Sequence, residues 1–153
     1  MKIEEEIKST IEIDITKKVM LNLNFTRNII TDKFNEVLKP YALSSEQFNV
    51  LRILRGQKDA IVNMNLIQDR MLTKNSNTTR LIDKLLIKEL VTREICPDNR
   101  RKMNIRITPK GLKVLHELDL KVVAHDKHFT NNLDQEELNM LNGLLEKLRI
   151  TKQ

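Results

Sequence analysis

Residues 76–111 read SNTTRLIDKLLIKELVTREICPDNRRKMNIRITPKG. Two periodicities meet in this stretch. In its first part apolar residues recur every three or four positions, which predicts an amphipathic helix. Thr78, Leu81, Ile82 and Leu85 then share the buried side, while Asn77, Arg80 and Lys84 line the opposite one. Next come two short runs rich in β-formers, LVTREIC and MNIRIT, with Pro97 to Lys102 between them, and these read as an antiparallel hairpin. In the second strand Met103, Ile105 and Ile107 alternate with Asn104, Arg106 and Thr108, so one side is apolar. Thr108-Pro109 then reads as an N-cap followed by proline at the first position of a new helix. Three bases, Arg100, Arg101 and Lys102, crowd the hairpin turn and repel one another unless a partner neutralises them.

Upstream, NMNLIQDRML reads as a short helix and TKNSNT as a polar break. Two helices joined by a short polar turn, the second with bases on its outer face, describe a helix-turn-helix. Followed at once by a hairpin, it becomes a winged helix. Before it lies SSEQFNVLRILRG, where Ser44 and Gln47 form a capping box, Gly56 makes a stop, and Phe48, Leu51 and Leu54 face inward. Earlier still, Val19, Leu23, Thr26, Ile30, Phe34, Val37 and Tyr41 mark a helix that ends near Pro40.

After the hairpin, Leu112, Leu115, Leu118 and Val122 lie on a helix that reaches Phe129. A last helix starts near Asp134, with Glu137 completing a second capping box. Its Leu138, Leu141, Leu145 and Leu148 keep a heptad spacing. The winged-helix body already uses the apolar faces nearest this seam. The stripe either packs inside the same domain or takes an intermolecular role, and the second is expected, since a bare leucine stripe would otherwise lie exposed. The fold class is mainly α with a small β-hairpin wing: a winged helix-turn-helix plus terminal dimerisation helices. A single domain is expected over residues 1–153, with the DNA-binding lobe at about 42–113 and the helical dimerisation region at about 13–41 and 114–150.

Composition agrees. The 153 residues suit one domain with a real core. Only 3% are aromatic, with three Gly and three Pro, a scarcity of turn- and β-formers that points to helix. The one cysteine excludes an internal disulfide and suits a reducing cytosol. No apolar run approaches the roughly 18–20 residues of a membrane span, and the acidic start MKIEEEIKST lacks the apolar centre of a secretory signal. A cytoplasmic protein with no membrane partner is expected. The net charge is +6, but twelve Lys or Arg face four Asp or Glu between Arg70 and Lys113, a local balance of +8. That asymmetry favours a polyanion partner.

For enzyme chemistry the chain offers no Gly-rich phosphate loop, no H-E-x-x-H and no nucleophile with a base, so neither catalysis nor a cofactor is expected. His125 and His128 have a spacing that can bind zinc, with Asp126 close by and His116 a few turns earlier. No matching Cys or His pair exists elsewhere, and they read as helix-surface histidines. Cys96 reads as an inert thiol. A metal- or redox-responsive regulator, or a winged helix used to dock an acidic protein, are the alternative functions.

At this point the sequence resembles the MarR (multiple antibiotic resistance regulator) family of winged-helix transcription factors, from about residue 20 onward. LSSEQFNVLRIL is similar to the family's second helix, and NSNTTRLIDKLLIKELVTRE to its recognition helix and following strand. DNRRKMNIRITPKG matches the wing signature through Asp98, Arg100, Ile107, Thr108 and Gly111. The chain departs from the family twice. Glu89 stands where glycine is common, at a position that often needs a left-handed backbone, so a differently shaped helix end is expected. Arg101 stands where a small residue is usual.

The resemblance implies a homodimer on a pseudo-palindrome in double-stranded DNA, with recognition helices in major grooves and wings in minor grooves. It also implies a repressor whose DNA binding is weakened by a small ligand or an oxidant. Ser76, Asn77, Thr79 and Arg80 match the family's DNA-facing positions. Arg80 can donate two bonds to guanine, Asn77 can pair with adenine, and hydroxyls suit phosphates near a helix N-terminus. Arg100 matches the residue that enters the minor groove, where a narrow A·T-rich groove favours a guanidinium. Asp98 matches the companion that braces it. Arg101 and Lys102 are expected at phosphates. Reactive cysteines of redox-sensing relatives usually lie near the N-terminus, unlike Cys96.

Overall fold

A computed structural model describes residues 2–58, 60, 62–96 and 99–150, with only the backbone of residues 96 and 99–102. The expectations for Asp98 and for the side chains of Cys96, Arg100, Arg101 and Lys102 lie outside the described part. The elements run α1 (Ile3–Glu6), α2 (Ile15–Leu38), a 3₁₀ turn (Lys39–Tyr41), α3 (Ser45–Gly56), α4 (Met64–Arg70), α5 (Thr78–Ile87), β1 (Val91–Cys96), β2 (Asn99–Ile107), α6 (Pro109–Thr130) and α7 (Gln135–Leu148). A winged helix carried on long flanking helices is the observed architecture.

Each longer helix starts where a short polar side chain takes up its free amides. Asp14 accepts from Thr16 N and Lys17 N, Asn63 from Leu66 N, and Asn77 from Arg80 N. The capping boxes at Ser44/Gln47 and Asp134/Glu137 both form. Gly56 is the last residue of α3, but the chain reverses two residues later, at Lys58 with φ 49°. The helix stop therefore does not depend on the glycine.

β1 and β2 pair antiparallel from Val91↔Ile107 to Ile95↔Met103. Val62 adds a third backbone segment, accepting from Ile105 N at 2.8 Å. Its own amide donates to Asn104 Oδ1 at 3.1 Å. Asn104, expected on the polar side of β2, is therefore buried and satisfied.

The core gathers Leu38, Phe48, Val50, Leu51, Leu54, Val62, Ile67, Met71, Ile82, Leu85, Leu90, Val91, Ile105, Leu115 and Leu118. All of it belongs to the winged helix, the end of α2 and the first half of α6. Phe48, Leu51 and Leu54 face inward as the spacing predicts, and so do Thr78, Ile82 and Leu85. Leu112 does not: it is 41% exposed, and Val114 packs on the core in its place. A bidentate pair fastens α3 to α6, with the Arg55 guanidinium 2.9 Å from both Asp119 oxygens. That hydrogen-bonded guanidinium holds the Asp119 carboxyl below the usual carboxylate range.

The junction of α5, hairpin and α6 is the tightest part of the fold. α5 closes in a Schellman motif: Leu90 N donates to Leu85 O at 3.0 Å and Glu89 N to Leu86 O at 2.9 Å. Glu89 is left-handed, with φ 59°. The departure from glycine thus leaves the helix end unchanged in shape, contrary to the expectation. The Glu89 carbonyl accepts from Thr108 Oγ1 at 2.8 Å, and its carboxylate pairs with Lys110 Nζ at 2.8 Å. The hydrogen bond from Lys110 lowers the carboxyl pKa. Thr108 N donates to Leu90 O, and Thr108 Oγ1 accepts from Gly111 N, both at 3.0 Å.

A Cβ at Gly111 would lie 2.4 Å from Leu90 O and 2.7 Å from Ile107 Cγ1. Replacing Gly111 with alanine should cost roughly 1–3 kcal/mol, because a backbone carbonyl cannot step aside. Urea denaturation would show it, and an unchanged midpoint would refute the crowding. Glu89→Gly should raise stability by up to about 1 kcal/mol, as left-handed backbone suits glycine. A fall in the urea midpoint would mean that the Lys110 pair outweighs the backbone.

Candidate nucleic-acid interface

α5 sorts its residues by face. Ile82 and Leu85 are fully buried and Thr78 nearly so, which seats the helix on the core. Asn77, Thr79, Arg80 and Lys84 are all exposed, and Ser76 is half-buried. The sequence-predicted set is thus accessible: Asn77, Thr79 and Arg80 lie at the positive end of the helix dipole, where free amides and cations together favour a polyanion, and Lys84 lies in the last turn.

The local roles differ in detail from the sequence reading. Asn77 is also the N-cap, with Arg80 N donating to Asn77 Oδ1 at 3.0 Å. Asn77 keeps its Nδ2 donors and one Oδ1 lone pair for a base edge. Ser76 Oγ donates to Thr73 O at 2.7 Å and steadies the turn before the helix.

Not every nearby base is free to meet a ligand. Lys88, on the same helix end as Lys84, turns back and donates to Ala42 O and, at 3.3 Å, to Gln47 Oε1. Burial, and secondarily Lys84, lowers its ammonium pKa. Arg93 pairs with Asp83 at 3.0 Å, so it ties β1 to α5. Spacing alone could not separate Lys84 from Lys88. The backbone of β2 places positions 100–102 at the end of the hairpin remote from α6.

Beside this face, a cleft of about 370 Å³ has walls from α2, α3, α6 and the turn before α5. Arg27, Phe34, Phe48, Arg52, Thr73 and His125 line it. Phe34 and Phe48 meet edge to face at 5.3 Å, and the Arg52 guanidinium sits 5.8 Å over the Phe48 ring. His125 is not the surface residue its helix position implied. Its side chain is 7% exposed and its ring lies 5.1 Å from those of Phe34 and Phe129. Nε2 is 3.1 Å from Ile30 O and Nδ1 3.0 Å from Asp126 Oδ1. With both ring nitrogens engaged, His125 has none to offer a metal, while His128 stays exposed. Among the described residues no three His, Cys, Asp or Glu are grouped to hold a metal ion.

The terminal helices bury little. Among the described residues of α7 none is buried. Leu138 and Leu145 are half-buried and Leu141 and Leu148 exposed. Val19 and Leu23 of α2 join Leu141, Leu144, Leu145 and Leu148 around an apolar groove of about 600 Å³. Met20, Leu120, Val123 and Met140 are also bare. No described helix is long and apolar enough to cross a membrane.

These features define a winged helix-turn-helix protein with helical extensions. The MarR family model matches residues 43–103. The transcriptional regulator MhqR of Bacillus subtilis is 28% identical over 131 residues, which is 86% of this chain and 89% of that protein. A MarR transcription factor structure from Planctomyces limnophilus is 31% identical, with a TM-score of 0.68 over 89% of this chain and 98% of that one. The structure of Bordetella bronchiseptica BpsR, solved to explain regulation of its DNA binding by 6-hydroxynicotinic acid, shares the fold. It has a TM-score of 0.79 at 19% identity, covering 92% of this chain and 99% of that one. The chain belongs to the MarR family, and is a transcriptional regulator rather than an enzyme.

Proposed function

We propose that this protein is a sequence-specific, cytoplasmic repressor that binds a pseudo-palindromic operator as a homodimer and is released by a small ligand. One observation carries the reading: Asn77, Thr79, Arg80 and Lys84 share the accessible side of α5, within a stretch whose local charge is +8. Arg80 reads a base or grips a phosphate, Asn77 reads adenine with the groups its cap leaves free, and Ser76, Thr79 and Lys84 hold the backbone. In the wing, Arg100 enters the minor groove braced by Asp98, while Arg101 and Lys102 meet phosphates.

The homodimer rests on the bare leucines of α7 and the adjoining groove, because apolar surface of this extent on terminal helices calls for a cover. The ligand reading rests on the cleft. Aromatic walls suit a flat apolar body, and the Arg27 and Arg52 guanidiniums suit an anionic group on it. Thr73 and Leu72 connect that cleft to the turn before α5. The known ligand of BpsR, 6-hydroxynicotinic acid, is of this chemical kind. The metal-sensing alternative loses its main residue, since His125 is already hydrogen-bonded at both nitrogens.

Selection of bound duplexes from a random pool tests the DNA reading. Enrichment of a pseudo-palindrome with half-sites about 10 bp apart is expected, and no enriched sequence would overturn it. On the selected site Arg80→Ala should cost about 1–3 kcal/mol of binding; unchanged affinity would remove Arg80 from the interface. Leu141→Asp combined with Leu145→Asp should convert a dimer to a monomer in sedimentation. A parent that sediments as a monomer at micromolar concentration would end the homodimer reading.

A further inference from the structure

The turn before α5 is held by side chains rather than by special backbone. No residue from 71 to 77 has positive φ and none is glycine, so sterics alone leave this segment several conformations. Gln68, half-buried on α4, bridges it. Its Nε2 donates to the Lys74 carbonyl, and its Oε1 accepts from the Thr78 hydroxyl. Lys74 Nζ in turn donates to the Asp69 carbonyl. One amide thus touches the middle of the turn and the first residue of α5.

The rest of α5 is anchored elsewhere. Ile82 and Leu85 set its rotation on the core, and the Schellman motif with the Lys88 clamp holds its C-terminal end. Apolar contact is non-directional and leaves the first turn free to slide. Thr78, only 4% exposed, is where a directional bond stops that motion. Asn77, Thr79 and Arg80 flank Thr78, so its placement is theirs.

We infer that Gln68 is a positioning residue for sequence discrimination, fixing the first turn of α5 through Thr78 and Lys74. Base-edge bonds need placement to about 0.5 Å, whereas phosphate attraction depends weakly on position. Loss of Gln68 therefore weakens the chosen site far more than arbitrary DNA. Nothing in the sequence marks this glutamine, because an amide on a short polar helix is unremarkable until its partners are known.

The inference rests on α5 being the sequence-reading helix. Its test uses the duplex that the parental full-length protein selects, with a scrambled duplex beside it. Gln68→Met, which keeps the size and loses both bonds, should lower the ratio of selected-site to scrambled affinity about tenfold. Its scrambled-DNA affinity and salt slope should stay within a factor of two of the parent. Thr78→Val should act alike, and the double variant should lose no more than the worse single one. Gln68→Glu keeps the acceptor for Thr78, so it should retain more of the ratio than Gln68→Met, although its charge weakens both duplexes. Thr78→Val, read against the parent alone, keeps the inference testable even if Gln68→Met folds poorly.

An unchanged ratio, an equal loss on both duplexes, additive losses in the double variant, or a Glu variant no better than Met would each overturn the inference. Additive losses would instead place Gln68 on the DNA itself. If the parent selects no site, the reading of α5 fails first; if it does and the variants keep its ratio, only the role of Gln68 fails.

Discussion

The carbonyl of Leu90 and the bare α-carbon of Gly111 approach so closely that a Cβ would sit 2.4 Å from the oxygen. Three elements depend on this contact. The Schellman bonds that close α5 reach Leu90, β1 begins at Val91, and α6 starts its first turn against both. Thr108 completes the lock, donating to Glu89 O and accepting from Gly111 N while its amide meets Leu90 O. The orientation of the long α6 relative to α5 is set here.

Charge and apolar surface are divided around that junction. The lobe from α3 to β2 buries a core and displays bases on one side of α5. The flanking helices carry bare Leu, Met, Val and Ile instead. The proposed function gives each surface its own partner: a polyanion for the first and another apolar surface for the second. Between them lies the aromatic and arginine-lined cleft, which shares Leu72 and Thr73 with the turn that Gln68 holds. A ligand there would meet the segment on which the position of α5 depends.

Much of this was legible in the chain. Helix starts were readable because capping is local chemistry: Ser44 with Gln47, Thr108 with Pro109 and Asp134 with Glu137 all act within three residues. The hairpin was readable because a period of two persists across Met103, Ile105 and Ile107. The reading failed where a partner comes from far along the chain. Asn104 looked like a solvent-facing strand residue and is buried against the backbone at Val62, 42 positions away. His125 looked exposed on its helix, but a second helix supplies Phe34 and the Ile30 carbonyl. Lys84 and Lys88 look alike, yet only Lys88 finds Ala42 and Gln47.

Sequence by itself determined the order and kind of the longer helices and the hairpin, the clustering of bases around α5 and the wing, and the leucine seam, since each follows from periodicity, capping or composition. It also carried the Thr-x-x-Gly of 108–111 without its reason. Only the tertiary structure decided which bases are free and which are spent on internal carbonyls, why position 111 has no room for a side chain, and how a glutamate sustains a left-handed helix end. Those answers depend on distances between residues far apart in sequence. Such distances exist only once loops close and the core packs, and no local pattern encodes them.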